Sequence, residues 1–229
     1  MKKTTFCSIV AASIIGLTPY AQAEELGINA QVTGTSNYML RGVTQTSKKG
    51  ALFADVTASY GNFFAGIWAS NVDFSSVGVN DADTEIDYYA GYANAIGDFA
   101  FMGAYAKYTY PGSDMLDDFD ELKFDLSYSF DKLTLGAKYE TAIWNENDNK
   151  KLTYKEAYSA YDFGLATFNL SAGSYEDIGD NVTVGLSKAG TFAKQNVELR
   201  FNYSKFNSAN KGQPFKDDNN LWGEIIFSF

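Results

Sequence analysis

Apolar and polar residues take turns along most of this chain. Leu52, Ala54, Val56, Ala58 and Tyr60 share one register, while Asp55, Thr57 and Ser59 hold the other. Leu122, Phe124, Leu126, Tyr128 and Phe130 alternate in the same way with Lys123, Asp125, Ser127 and Ser129. Val197, Leu199, Phe201 and Tyr203 alternate with Asn196, Glu198, Arg200, Asn202 and Ser204. Wound into helices, these segments would scatter charge among apolar groups. As strands, each keeps its charges on one face. The pattern predicts strands over 26–43, 50–60, 63–72, 84–94, 99–110, 120–130, 133–144, 154–162, 166–175, 181–189, 195–206 and 220–229. The register within 154–162 is ambiguous.

The connections sort into two kinds. Gly61-Asn62, Ala95–Asp98, Asp131-Lys132, Phe163–Leu165 and Gly190–Lys194 are short and rich in turn residues. Most of those between them (73–83, 111–119, 145–153 and 207–219) are longer and polar, with shorter ones at 44–49 and 176–180. Short turns at one end and long loops at the other are the habit of transmembrane barrels. The expected fold is therefore all-β: a closed antiparallel transmembrane β-barrel of about twelve strands. Strands of this length suit a tilted membrane crossing, and no stretch beyond the N-terminal segment is apolar enough for a helical span.

The N-terminal segment stands apart. Lys2 and Lys3 precede a short apolar stretch, and Ala21-Gln22-Ala23 has the small-residue pattern of a cleavage site. Residues 1–23 are expected to be a signal peptide for Sec export, removed from a mature barrel of 24–229 that lodges in the outer membrane of a Gram-negative cell. Cys7, the only cysteine, lies in that segment, and the chain has no histidine. Thiolate chemistry and the usual general base are thus missing, and serines such as Ser127 and Ser171 have no candidate base nearby. No enzymatic activity, catalytic residue, cofactor or metal is expected. Without Lys2 and Lys3, sixteen basic residues face twenty-eight acidic ones, a sign that excludes nucleic acid as a partner.

Alternation alone does not say which register faces out. Gly223, Ile225, Phe227 and Phe229 alternate with Trp222, Glu224, Ile226 and Ser228. This resembles the assembly signal of outer-membrane barrels, carried here by Ile225, Phe227 and Phe229. It implies outer-membrane lipid, lipopolysaccharide and the barrel-assembly machinery as partners. Physically, the last strand must pair with the first, because unpaired backbone in lipid is costly. Trp68, Trp144 and Trp222 lie near long-loop ends, where an interfacial girdle would place them, although parity puts them on the polar register.

With the apolar register turned to lipid, the lumen is expected to be lined by Arg41, Asp55, Glu85, Asp87, Lys123, Asp125, Lys138, Glu140, Lys188, Glu198, Arg200 and Glu224, with Lys107 less firmly placed. Acid slightly exceeds base, which points to a weak preference for cations. Arg41 could set selectivity or simply anchor the first strand. The loop acids Asp81, Asp83, Asp114, Asp117, Asp118, Glu146, Asp148, Glu176, Asp177, Asp180, Asp217 and Asp218 form no calcium-loop motif and read as solvated charge.

Three segments carry a family resemblance. Tyr38-Met39-Leu40-Arg41-Gly42-Val43-Thr44-Gln45-Thr46 is similar to the Tyr-x-x-Arg-Gly-x-Ser-Gln-Ser stretch of the TorF family of porins, with threonines at 44 and 46. Gly66–Phe74 and Glu85–Tyr92 also resemble blocks of that family. The resemblance implies passive diffusion of small hydrophilic solutes or ions through the barrel. A non-conducting structural or adhesive barrel is the alternative.

Overall fold

A computed structural model describes residues 23–145, 152–209 and 215–229. The described residues form twelve long strands closed into one antiparallel barrel, plus a separate two-stranded hairpin. The barrel strands are β1 (Ala23–Thr35), β4 (Ala51–Gly61), β5 (Phe63–Asn71), β6 (Thr84–Ile96), β7 (Phe99–Thr109), β8 (Phe119–Phe130), β9 (Leu133–Asn145), β10 (Thr153–Asp162), β11 (Thr167–Tyr175), β12 (Gly179–Phe192), β13 (Gln195–Ser208) and β14 (Asp218–Ser228). The hairpin is β2 (Met39–Leu40) with β3 (Val43–Thr44). Of the segment expected to be removed, 1–23, only Ala23 lies within the described residues.

Each barrel strand pairs with its sequence neighbours, and the ring closes where β1 meets β14 from Gln31 opposite Ser228 to Thr35 opposite Glu224. Beyond β14 the seam continues: Phe229 N–H donates to the Ala30 carbonyl at 2.9 Å. Closure leaves no open edge, which a sheet in hydrocarbon requires.

The alternation sorts as the sequence indicates. On β8, Leu122, Phe124, Leu126, Tyr128 and Phe130 occupy the outer register, and Glu121, Lys123, Asp125 and Ser127 are buried inside. On β4, Leu52 and Val56 point out while Thr57 and Ser59 are buried. Large apolar side chains such as Phe201 (58% exposed) thus cover the outside of the wall. So much contiguous apolar surface on the outside of a barrel marks a face that meets something other than water.

Two expectations are corrected. The first strand does not run over 26–43. It ends at Thr35, and the chain turns away from the wall into the β2–β3 hairpin. The reason lies in Ser36 and Asn37. Ser36 N–H donates to the Gly223 carbonyl at 3.0 Å, and its Oγ accepts from the Gly223 N–H, so β14 is tied off there. Trp68 and Trp222 are buried on the inner register and form no outer girdle; the Trp144 side chain lies outside the described residues. Parity prevails over loop proximity in placing them.

Candidate functional site

The hairpin lies inside the barrel, near the long-loop ends of the strands. Its two-residue turn, Arg41-Gly42, has positive φ at both positions (51° and 82°), the conformation that tight antiparallel hairpins favour. Glycine is needed at 42 for a second reason. A Cβ there would stand 2.5 Å from the Asn181 Cβ, so the tip is wedged against β12. Short polar side chains hold the hairpin's base. Thr44 Oγ1 donates to Asn37 Oδ1 at 2.7 Å, Thr46 Oγ1 donates to the Lys49 carbonyl at 2.6 Å, and Gln45 N–H donates to the Tyr38 carbonyl at 2.8 Å. Tyr38 packs on Phe53 and Trp68 and donates its hydroxyl to Glu85 Oε1 at 3.0 Å. The Tyr38–Thr46 motif is thus the recipe for an inward hairpin.

Arg41 carries this hairpin across the barrel. Its Nε and Nη2 donate to Glu140 Oε2 at 3.0 and 2.6 Å, and Nη2 donates to Glu121 Oε1 at 2.6 Å. Glu140 lies on β9, which is six strands from β1 in either direction round the ring. The guanidinium also stacks on Tyr154 and Tyr175, at 5.1 and 5.0 Å from their ring centres. Lys123 completes the cluster, 3.1 Å from Glu121 and 3.2 Å from Glu140. Two cations and two anions alternate, and Tyr108 donates to Glu121 Oε2, the oxygen beside Lys123, at 3.1 Å. The group is dry and internally neutral, the condition under which buried charge is tolerated.

The other expected lumen residues form smaller sets. Asp55 accepts from Tyr89 at 2.6 Å and from Thr57 at 2.9 Å. Asp125 accepts from Tyr158 at 2.7 Å, and Lys138 pairs with Glu156 at 3.3 Å. Arg200 bonds both Glu198 oxygens, at 3.0 and 3.1 Å, with Glu224 3.8 Å away. Glu85 and Asp87 are fully buried on β6.

Lys188 is the exception. It faces outward, opposite the exposed Leu199, and its Nζ donates to the Gly164 carbonyl in the neighbouring turn. Counted from Val182 and Leu186, position 188 belongs to the outer register. Near the turn end of β12 its ammonium reaches interfacial polar groups, where an outward lysine costs about 0–1 kcal/mol rather than the larger midplane penalty. Lys107 also lies on the outer register, 3.8 Å from both Asp118 and Asp120.

Two inward acids escaped the sequence reading. Asp120 lies opposite outward Lys107 and Glu121 faces in with Lys123, while the irregularity beside them falls on β9, where Ile143 is the extra residue. Glu156 sits in the strand whose register was ambiguous, and the structure turns Tyr154, Glu156 and Tyr158 inward. Parity with Lys123 would have found Glu121.

Loops brace the hairpin from outside. Lys49 donates to Asp73 at 2.6 Å, and Lys48 to Asp218 at 2.6 Å. The Lys49 hydrogen bond, with help from Ser75, holds the Asp73 carboxyl well below the usual carboxylate range. Asp81 accepts from the backbone of Asp114 and Met115 and so ties two loops together. Glu146 and Asp148 lie outside the described residues. Open space adjoins the hairpin and the inner wall among the described residues. A vestibule of about 350 Å³ lies between the hairpin tip, Lys48, Phe206 and Asp218. A cavity of about 50 Å³ runs beside Lys138, Glu156, Asn169, Thr183 and Arg200.

Comparison with known proteins gives a family and a set of distant structures. The model of a bacterial family described as being of unknown function, Gcw_chp, matches residues 21–180. No curated protein sequence matches. Among solved structures, Acinetobacter baumannii OccAB4 is similar at 11% identity and a TM-score of 0.47, over 84% of this chain and 56% of that one. Pseudomonas aeruginosa OpdQ is similar at 16% identity and 0.43, over 85% and 59%. An anion-selective porin from Comamonas acidovorans is similar at 11% and 0.40, over 90% and 99%. The chain spans little more than half the length of the first two.

Proposed function

Since this chain belongs to the Gcw_chp family, whose function is not known, we propose its role from the barrel itself: it is an outer-membrane porin that passes small hydrophilic solutes or ions. One observation carries the proposal. The apolar register covers the outside of a closed barrel while the charged register lines an interior braced by a folded-in hairpin. Export of a chain freed of residues 1–23, assembly through the last strand and a setting of lipid and lipopolysaccharide belong to the same reading. So does kinship with the TorF porins, for which the Tyr38–Thr46 hairpin speaks. Small solutes are its traffic, and it is not an enzyme.

The interior favours cations. Arg41, Lys123, Lys138 and Arg200 face Asp55, Glu85, Asp87, Glu121, Asp125, Glu140, Glu156, Glu198 and Glu224. Acid outnumbers base more strongly than the sequence suggested, because Lys188 leaves the lumen while Glu121 and Glu156 join it. Refolded protein in a planar bilayer is expected to show small unitary steps, and its reversal potential under a potassium chloride gradient is expected to have the cation sign. Anion selectivity would refute the charge assignment. A silent bilayer across voltages and salts would support the second reading, a non-conducting barrel, which the Arg41 bridge and the 50 Å³ cavity favour.

A further inference from the structure

The two sides of the lumen differ in what fills them. Against β4–β8 the interior is packed and largely aromatic. Tyr38 and Phe53 lie 4.8 Å apart, Phe53 and Trp68 5.1 Å, and Phe64 and Tyr89 6.2 Å between ring centres. Trp68, Met102, Ala104 and Tyr108 are all buried there. Across the barrel, the inward side chains of β10–β13 are mostly polar, and Glu156, Asn169, Ser171, Thr183 and Asn202 are only half-buried. The cavity of about 50 Å³ lies against this wall. It is polar and roomy enough to hold water.

The vestibule belongs to the same wall. Inward positions follow one another as Asn181, Thr183 and Gly185 along β12, and as Phe206, Ser204, Asn202 and Arg200 along β13. Phe206 lines the vestibule, while Thr183, Gly185, Asn202 and Arg200 line the cavity. The hairpin tip stands between them: Gly42 is wedged on Asn181 and Phe206, and Arg41 stacks on Tyr154, which donates to Asn181 at 3.2 Å. Two open spaces thus share one wall, on either side of a single constriction. We propose that solutes cross this barrel off-centre, down the β10–β13 wall, with the hairpin tip as the narrowest point and the Lys138–Glu156 and Arg200–Glu198 pairs below it as the charges that select. The proposal rests on the porin reading and adds to it a route and the residues that discriminate.

Single cysteines test the route with and without conduction. Thr183→Cys and Asn202→Cys lie on it, and Ser70→Cys and Ala104→Cys lie on the packed side, where both native residues are buried. In liposomes, a charged methanethiosulfonate is expected to label the first two at least roughly tenfold faster than the second two, whose access waits on local opening. After unfolding, all four should label alike. Should Ala104→Cys not refold, Ser70→Cys, a change of one atom, carries the comparison. In planar bilayers, the reagent is expected to remove most of the unitary current from Thr183→Cys and Asn202→Cys and to leave that of Ser70→Cys unchanged. Glu156→Gln is expected to move the reversal potential toward the anion side. Equal labelling of the two sets overturns the proposal, as does a current that survives modification at both Thr183→Cys and Asn202→Cys. An unmoved reversal potential removes Glu156 from the selecting set. A silent bilayer with the labelling contrast intact counts against the porin reading and upholds the hydrated wall.

Discussion

At the scale of single residues, Arg41 holds the most consequential position. Its guanidinium joins two carboxylates on the far wall and two tyrosine faces, and no shorter or monodentate side chain reproduces that set. Arg41→Ala leaves Glu121 and Glu140 sharing Lys123 alone. We expect it to lower unfolding stability by about 3–5 kcal/mol, the usual consequence of removing one partner of a buried pair. Arg41→Lys should recover part of this. Urea unfolding in lipid followed by tryptophan fluorescence measures both, and an Arg41→Ala protein as stable as wild type would show that the bridge is idle. Gly42→Ala is expected to disturb the same tip by another route, through the positive φ and the contact with Asn181.

Single residues also show where the sequence could be read and where it could not. Asp55, Asp125 and Arg200 were legible as inward because each sits between outward apolar neighbours in an unbroken alternation. Lys188 was not legible as outward: a charge is expected on the register opposite the apolar one, yet counting from Val182 puts it on the same side as Leu186. The structural consequence of Arg41 was hidden, because a partner on β9 is separated from it by 99 residues.

At the scale of elements, the strands were legible nearly to their ends. A period of two is a strong signal when one face must be apolar. The β2–β3 hairpin was not legible as a hairpin. Tyr38-Met39-Leu40 continues the alternation of β1, so nothing in the local pattern marks the departure at Ser36. What distinguishes it is the run of small hydrogen-bonding side chains, Asn37, Thr44 and Thr46, which supply internal partners in place of a neighbouring strand. Because the hairpin lies inside the wall rather than within it, its removal should spare the barrel. We expect replacement of residues 37–48 by a short Gly-Ser turn to leave a folded, heat-modifiable protein whose unitary conductance exceeds that of wild type several-fold. Equal conductance in the two proteins would mean that the hairpin does not narrow the path.

At the scale of the whole molecule, the pairing of β1 with β14 closes the sheet, and the alternation then divides it into an apolar outside and an inside where charges can pair. Twelve strands lie between the eight of side-chain-filled barrels and the sixteen to eighteen of open channels. The hairpin crosses that interior near its long-loop end, from β1 to Glu121 and Glu140. Sequence could establish the wall but not its contents, since what fills a lumen is decided by contacts between strands far apart in the chain.

Strand β11 offers the most direct measurement of this sidedness, since the chain after residue 23 has no cysteine to interfere. Single cysteines placed at Phe168, Leu170 and Ala172, and at Asn169 and Ser171, can be probed in liposomes with a water-soluble thiol reagent and a lipid-phase fluorescence quencher. We expect the even positions to be quenched from the lipid and spared by the aqueous reagent, and the odd ones to behave in the opposite way. Reaction of the even positions from water, with the odd ones dry and shielded, would contradict the account.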